Sequence, residues 1–166
     1  MLYVKNEATN SYEVASLAQV NEYGLKLAKI RKGSMATIQS ASLLISYLGL
    51  QMRELPTEQA RLILVDNANK IIKDIIFSEG VEDQTAIYPR RVARLAMENH
   101  ATGVIIAHNH PTGSIRPSNA DIQITRALNA AMETLDIRFL DHVIIGAEEK
   151  GYFSFRENGI ISAKNL

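Results

Sequence analysis

The stretch from Ala60 to Phe77 constrains the fold of this 166-residue chain more than any other. Ala60-Arg61-Leu62-Ile63-Leu64-Val65 is an almost unbroken apolar run. After Asp66-Asn67-Ala68-Asn69, a second run follows from Lys70 to Phe77, so the two predict a β-hairpin. A strand apolar at nearly every position is buried on both faces, which places it inside a sheet covered on both sides. Gly103 to Ala107 is a second such run. Helical spacing surrounds these strands. Ser40 to Met52 carries Ala41, Leu44, Ile45 and Leu48 and stops ahead of Pro56, and Pro89 opens a helix with Val92, Leu95 and Ala96 on its stripe, ending near Asn99-His100. Ser118 to about Leu135 presents Ile122, Thr125, Leu128, Ala131, Met132 and Leu135 on one face. Ser78 to Ala86 reads as a polar loop, and Ile137–Ile145 and Tyr152–Phe155 as two further strands. Strands and helices that interleave in this way predict an α/β or mixed α+β layered domain around a central mixed sheet. Ahead of it, residues 1–10 read as a loose start or an edge strand, and Tyr12–Val20 and Leu25–Lys32 as extended chain. These form an N-terminal extension, residues 1–37, before a main domain of residues 38–166.

Composition removes several classes of function. With 46% hydrophobic residues and zero formal net charge, the chain fits a soluble globular domain with a sizeable core. The balanced charge argues for weak or no binding to nucleic acid, which phosphate neutralisation drives. No apolar run approaches the roughly 20 residues of a membrane span, and Met1-Leu2-Tyr3-Val4-Lys5 lacks a signal-type pattern, so the expected location is cytoplasmic with no membrane partner. There are no cysteines, so a transition metal must be held by nitrogen and oxygen.

That requirement turns attention to Ala107–Asp121, A-H-N-H-P-T-G-S-I-R-P-S-N-A-D. In extended chain His108 and His110 point the same way and Asn109 points elsewhere, so the two imidazoles can grip one ion. Pro111, Gly113 and Pro117 break regular structure, and Asp121 falls in the first turn of the next helix. Folding the loop back brings this carboxylate toward the imidazoles and leaves a fourth position for water, the pattern of catalytic zinc. Two plainer readings fit the same residues: Ser118 and Asp121 as a helix cap, and the histidines as half-buried hydrogen-bonding groups.

The joint pattern, H-x-H, seven residues, then S-x-x-D, resembles the JAMM signature of the JAB/MPN metalloprotease-like fold. H-N-H-P-T-G and P-S-N-A-D resemble its bacterial RadC branch. The resemblance runs from about Ile38 to Ser162 and includes Y-P-R-R-V-A-R at 88–94 and L-D-H-V-I-I-G at 140–146. It implies the layered, cytidine-deaminase-like fold of that family and a zinc metallopeptidase with one Zn2+ per chain. His108, His110 and Asp121 match the metal ligands, and Ser118 the group that polarises the substrate. The family's upstream glutamate, eight residues ahead of a turn aspartate, matches Glu58 with Asp66 and implies a general base. Two departures stand out. Asn109 occupies a position where deubiquitinating members carry Ser or Thr, and the chain leaves no room for the DNA-associated helix-hairpin-helix region of full-length RadC proteins. The resemblance thus implies hydrolysis of a peptide or isopeptide bond in an unnamed substrate. The alternatives are a non-catalytic module in DNA processing or repair, as the family name suggests, and a non-haem iron enzyme on the same two histidines and carboxylate. The N-terminal extension could add strands or a homodimer contact.

His100, near a helix end, reads as a surface residue. His142 reads as a strand histidine bonded within the sheet, with support of a metal ligand as its other possibility. Arg90, Arg91 and Arg94 share one helix and read as a solvated face rather than a phosphate site.

Overall fold

The computed structural model describes residues 3–6, 11–16, 41–79, 87–147 and 151–161. Backbone contacts divide the chain into two units, Met1–Ala36 and Thr37–Leu166. In the first, β1 (Tyr3–Asn6) pairs antiparallel with β2 (Ser11–Val14). The expected strand at Leu25–Lys32 lies outside the described residues.

The second unit contains α1 (Ala41–Met52), β3 (Gln59–Val65), β4 (Ile71–Glu79), α2 (Pro89–Glu98), β5 (Gly103–Asn109), α3 (Asn119–Thr134), β6 (Arg138–Ile145) and β7 (Tyr152–Ser154). Among the described residues its five strands form one mixed sheet in the order β4-β3-β5-β6-β7, in which only β5 and β6 run parallel. The apolar runs lie where their pattern requires, with β3 one strand in from the edge and β5 at the centre. Every residue of β5 is buried. Leu44, Leu48 and Met52 of α1 pack on one face of the sheet against Ile63, Val65, Ile105 and Ala107. Val92, Ala93 and Ala96 of α2 and Leu128 and Met132 of α3 cover the other face over Leu62, Leu64, Val104 and Ile106. Alternate residues of one strand therefore feed two separate apolar layers. No helix among the described residues is long and apolar enough to cross a membrane.

Three local expectations need correction. Ser78 and Glu79 belong to β4 rather than to a loop, because they pair with Ala60 and Gln59 and extend the hairpin past its apolar part. Leu135 is the C-cap of α3 and stands 41% exposed, since the helix ends before its last periodic position can turn inward. Phe155 is buried but follows β7 in a turn. The rest of the loop predicted at Ser78–Ala86 lies outside the described residues.

One irregularity in β6 matters for the site. Val104 aligns with Phe139 but Ile105 with Asp141, so Leu140 is an extra residue, a bulge in the parallel pair. A one-residue shift sends all later side chains to the opposite face. Beyond the bulge, His142 aligns with Ile106 and faces the α2–α3 layer. The Asp141 carboxylate pins the distortion, accepting the His142 and Arg156 N–H groups at 2.7 and 3.0 Å and the Ser154 hydroxyl at 2.6 Å.

Candidate metal centre

β5 ends at the start of the crossover to α3, and the chain between them folds back over the end of β6. Two glycines permit this. Gly113 has φ +82°, a left-handed conformation that a Cβ would strain, and Gly146 lies so close that a Cβ there would meet Ile115 Cγ2 at 2.6 Å and the Gly113 carbonyl at 2.9 Å. The His110 N–H bonds to the Ile145 carbonyl at 3.1 Å and carries the β5–β6 ladder one residue past the strand. Ser118 caps α3, accepting the Asp121 N–H at 3.1 Å, while its own N–H donates to Asp121 Oδ2 at 2.7 Å. This capping box holds the aspartate in the first turn, facing the strand end.

His108, His110 and Asp121 come together there, and their ligand atoms all lie within 4.8 Å of one another. His108 Nε2 is 3.0 Å from His110 Nε2 and 3.4 Å from Asp121 Oδ1, and His110 Nε2 is 3.9 Å from Oδ2. Bonds of about 2.0–2.2 Å in a tetrahedron separate neighbouring ligand atoms by roughly 3.3 Å, so the three donors are spaced to share one ion. His108 is buried, while the His110 and Asp121 side chains keep 17% and 15% exposure, so the group opens to solvent on one side.

Hydrogen bonds assign the protons. His110 Nδ1 lies 2.8 Å from the Ser114 carbonyl, which can only accept, so Nδ1 carries a hydrogen and, in the neutral ring, Nε2 the lone pair. His108 Nδ1 is 2.9 Å from His142 Nε2, and His142 Nδ1 is 2.6 Å from Thr125 Oγ1. The Thr125 hydroxyl donates its one proton to the Asp121 carbonyl at 2.5 Å. It must then accept from His142 Nδ1–H, which makes His142 Nε2 the acceptor for His108 Nδ1–H. His108 Nε2 is left with a lone pair too. Burial holds both rings neutral, pushing His108 down to about 4 and His142 well below the ordinary histidine value. When both rings are neutral these two nitrogens, 3.0 Å apart beside a carboxylate, are acceptors that a shared cation would satisfy, so the donors fit a metal ion.

His142 and Thr125, both fully buried, thus form a chain from a candidate ligand to the helix that carries another. His142 is bonded to the neighbouring strand, as a sheet histidine, and through His108 it also supports a candidate ligand; the Leu140 bulge turns it to that face. Its ring also stacks on Phe155, 4.6 Å between centroids. Helical spacing alone marks Thr125 only as part of the apolar face of α3.

Glu58 lies immediately before β3. Ala60 pairs with His108 in the last rung of β3–β5, so Glu58 lies two residues beyond that rung, at the end of the sheet where His110 follows β5. Its carboxyl sits above the ordinary glutamate range, raised chiefly by partial burial, with His110 and Asp121 acting on it in opposite senses, which puts Glu58 within electrostatic reach of both. Ser118 Oγ–H donates to Asp121 Oδ2 at 2.6 Å. Asp66 is remote, in the β3–β4 turn, where its Oδ1 accepts the Ala68 and Lys70 N–H groups at 2.9 Å. His100 is exposed at the end of α2. Of the arginines, Arg91 lies 4.1 Å over the Phe77 ring and Arg94 pairs with Glu98, both on the exposed face of α2.

The RadC-like JAB domain family matches residues 38–160, which span the whole sheet and every residue of this cluster. The chain belongs to the RadC-like JAB domain family. It is similar to a UPF0758 protein of Pseudoalteromonas translucida, 42% identical over 126 residues, covering 76% of this chain and 55% of the relative. It is also similar to one of Aromatoleum aromaticum, 36% identical over 147 residues, covering 89% of this chain and 65% of the relative. The chain thus matches between about half and two thirds of the length of these relatives. Its mixed sheet with helices on both faces is the JAB/MPN-type fold that the sequence predicts.

Proposed function

We propose that this domain is a zinc-dependent hydrolase of the JAMM type that cleaves a peptide or isopeptide bond, with His108, His110 and Asp121 as the metal ligands. The observation that carries the reading is the pair of Nε2 atoms meeting 3.0 Å apart beside Asp121, in electrostatic reach of a solvent-facing glutamate. Bound there, zinc supplies Lewis acidity that brings the pKa of water from about 15.7 toward ~7 and polarises the scissile carbonyl.

The protein's own groups take the remaining steps. Glu58 accepts the proton of the attacking water and returns it to the departing amine. The Ser118 hydroxyl, which donates to Asp121 Oδ2, turns to donate to the oxyanion as it develops. The Ser114 carbonyl and His142 hold the two imidazoles in the tautomers that ligation needs.

The experiment compares wild type with Glu58→Gln on a library of internally quenched peptides and lysine-linked isopeptides, with zinc measured on the same samples. Glu58→Gln is expected to keep zinc and lose ~10²–10⁴-fold in rate, the usual worth of a positioned general base. Full activity in that variant, or loss of its zinc, contradicts the role given to Glu58.

A further inference from the structure

The middle residue of H-N-H lies on the opposite face of β5 from the two histidines and takes no part in the metal cluster. It is 2% exposed. Its Oδ1 accepts the Gln59 N–H at 2.8 Å, and its Nδ2–H donates to the Thr57 carbonyl at 3.1 Å. The Thr57 carbonyl belongs to the peptide group that precedes Glu58, and the Gln59 N–H to the one that follows it. One planar side-chain amide therefore holds both peptide planes on either side of Glu58. The β3–β5 pairing ends at Ala60 and His108, so the Asn109 side chain supplies the next rung where the two backbones no longer pair.

We infer that Asn109 is the positioning residue for Glu58: it bridges the two peptide groups flanking the glutamate and so fixes the carboxylate relative to the imidazoles of His108 and His110, which are Asn109's own chain neighbours. Strand alternation makes the arrangement possible. Residues 108 and 110 turn their side chains to the cluster while residue 109, from the other face, anchors the segment that carries the base. A shift in β5 then moves ligands and base together. A serine or threonine at this position has neither the reach nor the paired donor and acceptor to hold both peptides, so the asparagine implies a differently built support for the glutamate.

The inference rests on Glu58 acting as the base, and the test separates the two. Asn109→Ala and the isosteric Asn109→Asp, which sets an oxygen against the Thr57 carbonyl, are compared with Glu58→Gln and with the double variant Asn109→Ala/Glu58→Gln. Each is tested as the full chain on the quenched peptide and isopeptide library, with zinc content alongside. The single Asn109 variants are expected to keep zinc and to lose ~10²-fold in kcat with KM little changed, the effect of a reacting group misplaced by about 1 Å. The double variant is expected to be no slower than Glu58→Gln, because Asn109 has nothing left to position. If the two losses add, or the Asn109 variants stay fully active while Glu58→Gln is inactive, this inference fails and the base assignment stands. If Glu58→Gln stays active, the base assignment itself fails. Exchange of the Gln59 amide proton needs no substrate: it is expected to be slow in wild type and faster in Asn109→Ala, which loses its acceptor. An unchanged exchange rate, or loss of fold in both Asn109 variants, overturns the inference.

Discussion

The two ends of β3 carry equally polar chain and use it in opposite ways. At the Val65 end, the polar groups satisfy one another. Asp66 Oδ1 takes two backbone N–H groups, the Asp66 carbonyl receives Asn69 N–H and Arg138, Asn69 Oδ1 receives the same guanidinium, and Asn69 adopts the left-handed φ of 58° that asparagine tolerates. At the Glu58 end, groups drawn from β5, β6, α3 and the residue before β3 face one another with their donor atoms converging. A closed local network makes a turn, whereas an arrangement held by its surroundings but incomplete in itself makes a binding site. The supports differ accordingly. The turn is held by its own four residues and one arginine, and the cluster by the bulge at Leu140, the cap at Ser118 and the bracket at Asn109.

Acid sets the two ends apart most strongly. His108 is pushed down to about 4 in the folded chain, against about 6.5 when unfolded, and His142 is shifted in the same direction. Between these values the unfolded chain binds more protons, so the stability of metal-stripped protein rises from about pH 4 to about pH 6.5 and then levels. At about 1.36 kcal/mol per pKa unit, His108 alone contributes up to about 3 kcal/mol across that window. The raised carboxyls of Glu58 and Asp141 act in the opposite sense, from about pH 4 upward. Urea midpoints of wild type and His108→Phe across this range check the claim: the rise is expected to shrink in the variant, and identical curves count against a buried neutral His108.

His142→Phe is the next largest effect. Phenylalanine keeps the stack on Phe155 but accepts no hydrogen bond from His108 Nδ1, so zinc affinity is expected to fall ~10–100-fold with the fold intact. Competition with a chelating dye measures it, and an unchanged affinity removes His142 from the metal centre. The smallest effect belongs to the turn. Asp66→Ala removes one acceptor from two N–H groups at a solvent-accessible site and is expected to cost about 1 kcal/mol in denaturant unfolding, with zinc affinity unaltered. A change in metal binding there would erase the contrast between the ends.

Much of the fold was legible because period and apolar content act locally. The hairpin, β5 and the three helices follow from spacing, and the H-x-H pair with Asp121 from strand alternation and a capped helix start. What escaped depends on contacts that no local pattern encodes. His142 faces His108 only because Leu140 is bulged out of register, and that displacement answers to Asp141, Ser154 and Arg156. Thr125 looks like a small residue on an apolar stripe until its hydroxyl is seen between Asp121 and His142. Asn109 read as a departure from a pattern, and its two bonds lie some fifty residues away in sequence. A glutamate before a strand is ordinarily a solvated charge, and Glu58 stood out only through the family resemblance.

Metal content tests the central claim most directly. Purified protein, freed of loosely held ions and examined by elemental analysis and X-ray absorption edge, is expected to carry one zinc per chain, to lose it in His108→Ala, His110→Ala and Asp121→Ala, and to keep it in Glu58→Gln. Zinc retained in all three ligand variants, or iron in its place, would contradict the account.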